Sequence, residues 1–251
     1  MSRVLTRRGF AGETAASLLT FSLLETILSG EVLAAEVKPI AARWLASLDQ
    51  LGGDLKGRKL TQLEWQAQVE QLMDQVELPE LLKFVDFAEL TKDLKFRERG
   101  ERALHARFPE VEGLPTKLVF GHQIFALKKG QSVAPHGHNN MATAFLVMDG
   151  EFHGRHYDRM EDEPKHIIIK PTIDQSFRVG EYSTVSDFKD NIHWFKATSD
   201  QGFIFNIHLL EVDPQIKKRG RVYVDPQGEA LSDGRIRARI LRANEAYKLY
   251  G

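Results

Sequence analysis

Three histidines stand at spacings that suit a metal ion. His136 and His138 stand two apart in Gly130-Gln-Ser-Val-Ala-Pro-His136-Gly-His138. On an extended strand such residues face the same side, so both rings can address one point inside a sheet or barrel. A glycine turn precedes them, and alternating apolar residues lead on to Asp149-Gly150, which reads as a hairpin. His193 lies in a distant run, Asp190-Asn-Ile-His-Trp-Phe195, ahead of another apolar strand. Two imidazoles from one strand and one from another is how a barrel builds a three-nitrogen metal site. Imidazole ligation suits zinc, copper, iron or nickel. Three neutral ligands leave a divalent ion's charge uncompensated and several positions open, which favours anionic ligands; a thiolate suits such a site, because coordination lowers the thiol pKa. Of the other histidines, His122 and His208 lie on strands where they could face the cavity but read first as core rings bonded to backbone, His156 and His166 read as surface or supporting residues, and His105 as surface.

The elements that must position these rings are strands. From Leu118 the hydrophobic period becomes two, and short apolar runs separated by Gly, Pro and Asp turns follow: Val119–Leu127, Thr143–Met148, Phe152–Tyr157, His166–Lys170, Ser176–Val179, Tyr182–Val185, Ile192–Lys196, Phe203–Leu210 and Arg221–Val224. With the strand that carries His136 and His138, these make about ten short strands, the pattern of a barrel or jelly roll. Before Leu118 the period is helical. Ile40, Trp44, Leu48 and Leu51 mark one helix, Thr61-x-x-Glu64 is a capping box opening a second, and a third runs from about Pro79 to Leu94. Ile236, Ile240, Ala243 and Tyr247 behind Ser232, a plausible N-cap, mark a closing helix. The fold class expected is mainly β: residues 36–117 form a helical layer, 118–226 a single barrel and 227–251 a C-terminal helix.

The stretch from Gly130 to Gly150 resembles the first motif of the cupins, with Thr143 standing where the usual glutamate ligand would be. A gapless similarity from Ile124 to Asp158, including His136-x-His138, Met141, Gly150 and His153-x-x-x-Tyr157-Asp158, resembles the thiol dioxygenases of the plant cysteine oxidase and cysteamine dioxygenase group. Asn191-Ile-His193 with Phe195 resembles that family's second motif, and Arg221-Val-Tyr223 its late strand. The resemblance implies a cupin barrel, Fe(II) held by His136, His138 and His193, and His153 and Tyr157 lining or supporting the pocket, where a structural hydrogen-bonding role for these two is equally open. It also implies a small thiol and dioxygen as reactants and a sulfinate as product. Two other readings remain open: a cupin enzyme using another divalent transition metal on an oxygen-chelating small molecule, and a non-catalytic metal- or ligand-binding cupin.

Composition narrows the partners. The chain has 251 residues, 34 basic and 35 acidic, so no basic footprint marks nucleic acid or an anionic membrane. No run approaches the ~20 apolar residues of a membrane span. Cysteine is absent, which excludes disulfides, thiolate zinc sites and a catalytic thiol. The expected ligand is a small thiol or other small anion, in a protein compatible with a homo-oligomer.

Residues 1–35 read as an export signal. Arg3, Arg7 and Arg8 form a positive n-region, Thr6-Arg-Arg-Gly-Phe10 resembles a twin-arginine motif, a weakly apolar run reaches Leu24, and Ala34-Ala35 offer small residues for cleavage. A periplasmic protein is expected; a retained first helix would leave it cytoplasmic. Replacing Arg7 and Arg8 together with lysine is expected to hold the precursor in the cytoplasm. Unchanged export of the double variant, scored by fractionation, would contradict the signal reading.

Overall fold

A computed structural model describes residues 40–251; the expected export segment lies outside them. Helix α1 (Ile40–Lys56) buries Trp44, Leu45, Leu48 and Leu55 along one stripe. Helix α2 (Gln62–Met73) opens with the expected capping box: Glu64 N donates to Thr61 Oγ1 at 3.2 Å, and Thr61 N donates to the Glu64 carboxylate at 2.8 Å. The third predicted helix is two short ones, α3 (Leu78–Phe84) and α4 (Phe87–Thr91). The break falls at Asp86, whose φ of 48° is left-handed and cannot continue a helix. Residues 102–104, expected in the helical layer, instead form strand β1 (Arg102–Leu104).

The remaining strands are β2 (Gly121–Lys128), β3 (Ser132–Asn139), β4 (Met141–Asp149), β5 (Phe152–Asp162), β6 (His166–Phe177), β7 (Tyr182–Val185), β8 (Ile192–Ala197), β9 (Gln201–Leu210), β10 (Gly220–Ala230) and β11 (Ile236–Leu241). All pairings are antiparallel. They build a five-stranded sheet in the order β1-β2-β9-β4-β7 and a closed barrel in the order β10-β11-β6-β5-β8-β3. The expected mainly-β jelly roll with helices before it and one after it is what forms. Among the described residues no helix is long and apolar enough to cross a membrane.

Period two explains how the five-stranded sheet serves two cores. Ile124, Ala126, Ala142, Ala144, Leu146, Phe203, Phe205, Ile207 and Leu209 pack with Trp44, Leu45, Leu48, Trp65 and Val69 of the helices. The intervening positions Phe125, Phe145, Val147 and Ile204 turn the other way, onto Phe152, Phe177 and Phe195 of the barrel. Because both faces are buried, β9 reads as a nearly continuous apolar run instead of an alternation.

Two predicted features take another form. Asp149-Gly150 is not a hairpin: β4 pairs with β7 and β9, whereas β5 pairs with β6 and β8, so the chain crosses between sheets here. Gly150 suits the crossing, with φ of 79° and space so tight that a Cβ would lie 2.3 Å from the Gln201 carbonyl oxygen. The predicted closing helix starts late. Residues 236–241 form β11, and only α5 (Ala243–Tyr250) is helical. Ile236 and Ile240 are four apart, which places them together on a helix but also on a strand. Arg235-Ile-Arg-Ala-Arg-Ile alternates, and burial of Ala238 shows which period wins.

The barrel interior also buries His156, opposite His193 in the β5–β8 register and against Phe177 and Phe195. Neither ring nitrogen has a protein partner among the described residues. Burial, aided by His193 and Lys189, holds the native ring near a pKa of about 3, against 6.5 when free. The unfolded state therefore binds more protons throughout that interval, and stability is lost as pH falls through it, with a slope from this group of at most about 1.4 kcal/mol per pH unit. His156→Leu is expected to flatten the acid limb of a urea-denaturation series on metal-free protein by up to that slope. An unchanged limb would contradict a neutral buried ring.

Candidate metal centre

The three sequence-predicted histidines come together. His136 lies opposite His193 in the β3–β8 pairing, and His138 stands two residues further along β3. Gly137 between them is needed for close approach: a Cβ there would meet Ile192 Cδ1 at 2.4 Å and Asn191 Oδ1 at 2.5 Å. Asn191 Nδ2 in turn donates to the carbonyls of His138 at 3.1 Å and Ser186 at 2.9 Å, tying the strand bearing the pair to the strand bearing the third ring.

All three rings are buried, and one nitrogen of each lies within 4.8 Å of the other two. His136 Nε2 and His138 Nε2 are 3.1 Å apart, which matches two ligands about 2.1 Å from a shared ion at roughly a right angle. The ring centroids of His193 are 4.3 Å from those of His136 and 4.9 Å from those of His138. The other nitrogens are engaged. His136 Nδ1–H donates to the Ala134 carbonyl at 2.8 Å and His193 Nδ1–H to the Asn191 carbonyl at 3.2 Å. These bonds fix the tautomer that turns the Nε2 lone pair inward. His138 Nδ1 meets Thr143 Oγ1 at 3.3 Å, a hydroxyl that can serve either tautomer. His193 Nε2 is buried with no partner among the described residues. An orphaned buried acceptor beside two converging imidazoles fits a metal ion, and Thr143 is a buttress to His138, not a ligand.

Electrostatics keeps the rings neutral. Burial, then the neighbouring His193 and the positive Arg221, hold His136 and His138 well below the usual imidazole range. Burial and Arg221 bring His193 to about 3, against the opposing Nδ1 bond to Asn191. A cavity of about 250 Å³ reaches His136 and His138. Its wall carries Gln123, Asn206, His208 and Arg221, while Phe145 packs 5.0 Å from the deeper His193. A larger cavity, about 690 Å³, lies under residues 106–118 on the other face of β2. His122 in its wall donates Nε2–H to the Ala106 carbonyl at 3.1 Å, as expected of a core ring, and no metal-binding cluster forms there.

His153 and Tyr157, for which a place at the pocket and a structural role were both open, do not line the cavity. On β5 the residues Phe152, Gly154 and His156 are fully buried, so His153 is turned outward, where it pairs with Asp174 at 2.5 Å. The register shifts between His156 and Tyr157, and Tyr157 enters an apolar cluster with Ile167, Ile169 and Ile192. Burial raises its pKa. Of the two places open to His208, facing the cavity or bonded to backbone as a core ring, it takes the first: it lines the cavity, and no described residue bonds its side chain. The available signal was parity: Asn206 and His208 are the polar residues of an otherwise apolar Phe203-Ile-Phe-Asn-Ile-His-Leu-Leu210 run, and both fall on one face.

No family model matches the chain, and no curated protein matches it. Solved structures do. A protein with a double-stranded β-helix domain from Klebsiella pneumoniae subsp. pneumoniae MGH 78578 is 10% identical, with 53% of this chain and 87% of that one covered and a TM-score of 0.34. A cupin superfamily protein from Desulfitobacterium hafniense DCB-2 is 14% identical, with 47% and 84% covered and a TM-score of 0.30. Recombinant oxalate oxidase in complex with glycolate is 14% identical, with 51% and 56% covered and a TM-score of 0.35. The chain spans 21–23% of the length of the 11S globulins it also matches. At these scores the likenesses do not bear on what the site does, which follows from its own side chains.

Proposed function

We propose that this chain is an iron(II)-dependent oxygenase that converts a small thiol to a sulfinate. The observation that supports this best is the ligand set: three buried imidazoles with inward Nε2 atoms and, among the described residues, no carboxylate in the cavity wall. His136, His138 and His193 would hold the ion. When bound, iron supplies the redox chemistry that dioxygen activation requires and the charge that draws a thiolate. The overall conversion R–SH + O₂ → R–SO₂H balances without a further reductant. Sulfur loses four electrons, dioxygen gains four, and both oxygen atoms remain in the product.

The chain's own residues supply the setting. The carbonyls of Ala134 and Asn191 keep two imidazoles in the ligating tautomer, and Thr143 steadies the third. Phe125, Met141, Phe145 and Leu210 form the apolar part of the cavity lining.

Two measurements test the reading. Iron content and thiol-dependent oxygen uptake are expected to fall together in His193→Ala. Iron-free protein that consumes oxygen at the full rate, or native protein carrying zinc or copper with no uptake, would contradict it. Thr143→Val, which keeps the shape but removes the hydroxyl, is expected to weaken metal affinity by about 10–100-fold through loss of the support to His138. Unaltered affinity in a competitive chelator titration would show that Thr143 does not orient the ring.

A further inference from the structure

The cavity has a second wall whose chemistry the metal site does not use. Across β2, β9 and β4, Gln123 pairs with Asn206 and Asn206 with Phe145, while Gly121 pairs with His208 and His208 with Thr143. Gln123, Asn206 and His208 therefore share one face, which lines the cavity that His136 and His138 enter. Asn206 is only 4% exposed. None of these three side chains has a hydrogen-bond partner among the described residues, which is unusual for a buried amide. Gly121 makes room for the imidazole, because a Cβ there would lie 2.3 Å from His208 Nε2. Burial, with Arg221 and His122, holds His208 at about 4, so it is an uncharged donor and acceptor at neutral pH.

Arg221, opposite His138 in the β3–β10 register, completes this wall. Its guanidinium makes no hydrogen bond to any described residue, and its nearest carboxylate, Glu101, stands 3.8 Å away and accepts from Tyr247 Oη–H at 2.7 Å. Among the described residues no Asp or Glu lines the cavity. A carboxylate placed here would find Arg221 and the neutral donors of Asn206, Gln123 and His208. An ammonium would find no counterion and two like charges, Arg221 and the metal.

We propose that Gln123, Asn206, His208 and Arg221 form a carboxylate-recognition subsite, so that the ligand reaching the three histidines is a small thiol- or hydroxy-carboxylic acid rather than an amino thiol. The role of the coordinating sulfur or oxygen rests on the metal reading above; the subsite itself does not. The cavity, about 250 Å³, is smaller than the roughly 300–1,000 Å³ of pockets for drug-sized molecules, which restricts the acid to a few carbons.

The test uses zinc-loaded full-length protein, which binds without turnover. By calorimetry, 3-mercaptopropionate is expected to bind at least about tenfold more tightly than 2-aminoethanethiol, the margin of one charge-assisted hydrogen bond. Arg221→Gln, at a rim position with 33% of its side chain exposed, is expected to remove that preference while zinc content is retained. The 3-hydroxypropionate arm separates oxygen from sulfur as the coordinating atom. Propionate with metal-free protein probes the subsite alone, and its binding is expected to be lost in Arg221→Gln. Equal or tighter binding of 2-aminoethanethiol, or propionate binding that Arg221→Gln leaves unchanged, would overturn the proposal. Propionate binding to a protein that takes up no zinc at the histidines would instead uphold the subsite and sink the metal reading.

Discussion

The antiparallel pairing of His136 with His193 across β3 and β8 is the constraint on which the site depends. A slip of one residue in either strand would turn its histidine to the other face, since side chains alternate with period two. The register is held by contacts outside the metal centre. Gly137 lets Asn191 approach, and Asn191 clamps the His138 carbonyl. Backbone carbonyls then orient two of the rings, so the ligating nitrogens are set before any ion arrives. The convergence is a property of the strand pairing more than of the rings themselves.

That pairing sits in a barrel whose companion sheet must be covered on its far side. The helices α1 and α2 supply the cover, with Trp44 and Trp65 over the outward faces of β2, β4 and β9. The inward faces of the same strands are thereby free to carry Gln123, Thr143, Asn206 and His208 toward the histidines. The helical layer contributes no residue to the cavity, yet it is what permits both faces of these strands to be buried. Arg221 stands beside both the imidazoles and the polar wall of the cavity. Its charge helps keep the imidazoles neutral and therefore able to ligate, and it remains at hand for an anion.

Much of this was legible in the sequence. The His136-x-His138 spacing with Gly130 before it, the period change at Leu118 and the capping box at Thr61 each reported local geometry, and each of these elements forms. What sequence could not convey was contact between distant strands. Asp149-Gly150 has the composition of a hairpin, but whether β4 pairs with β5 is decided by β7, β8 and β9. Ile236 and Ile240 satisfy helix and strand periods alike, and pairing with β6 and β10 decides for the strand. His153 and Tyr157 could by resemblance reach the pocket, but the parity of β5 turns His156 inward and His153 outward, and the bulge after His156 sends Tyr157 into a separate apolar cluster. That Asn206 and His208 share one wall with Gln123 is settled by strand pairing, since a strand buried on both faces masks which polar positions share a side.

The central claim is that one divalent ion is held jointly by His136, His138 and His193. X-ray absorption at the zinc edge of protein loaded with one equivalent of zinc tests it most directly. Three imidazole nitrogens at about 2.0–2.1 Å, the usual zinc–histidine distance, are predicted, falling to two in His193→Ala. A first shell that lacks imidazole scattering, or one that His193→Ala leaves unchanged, would contradict it.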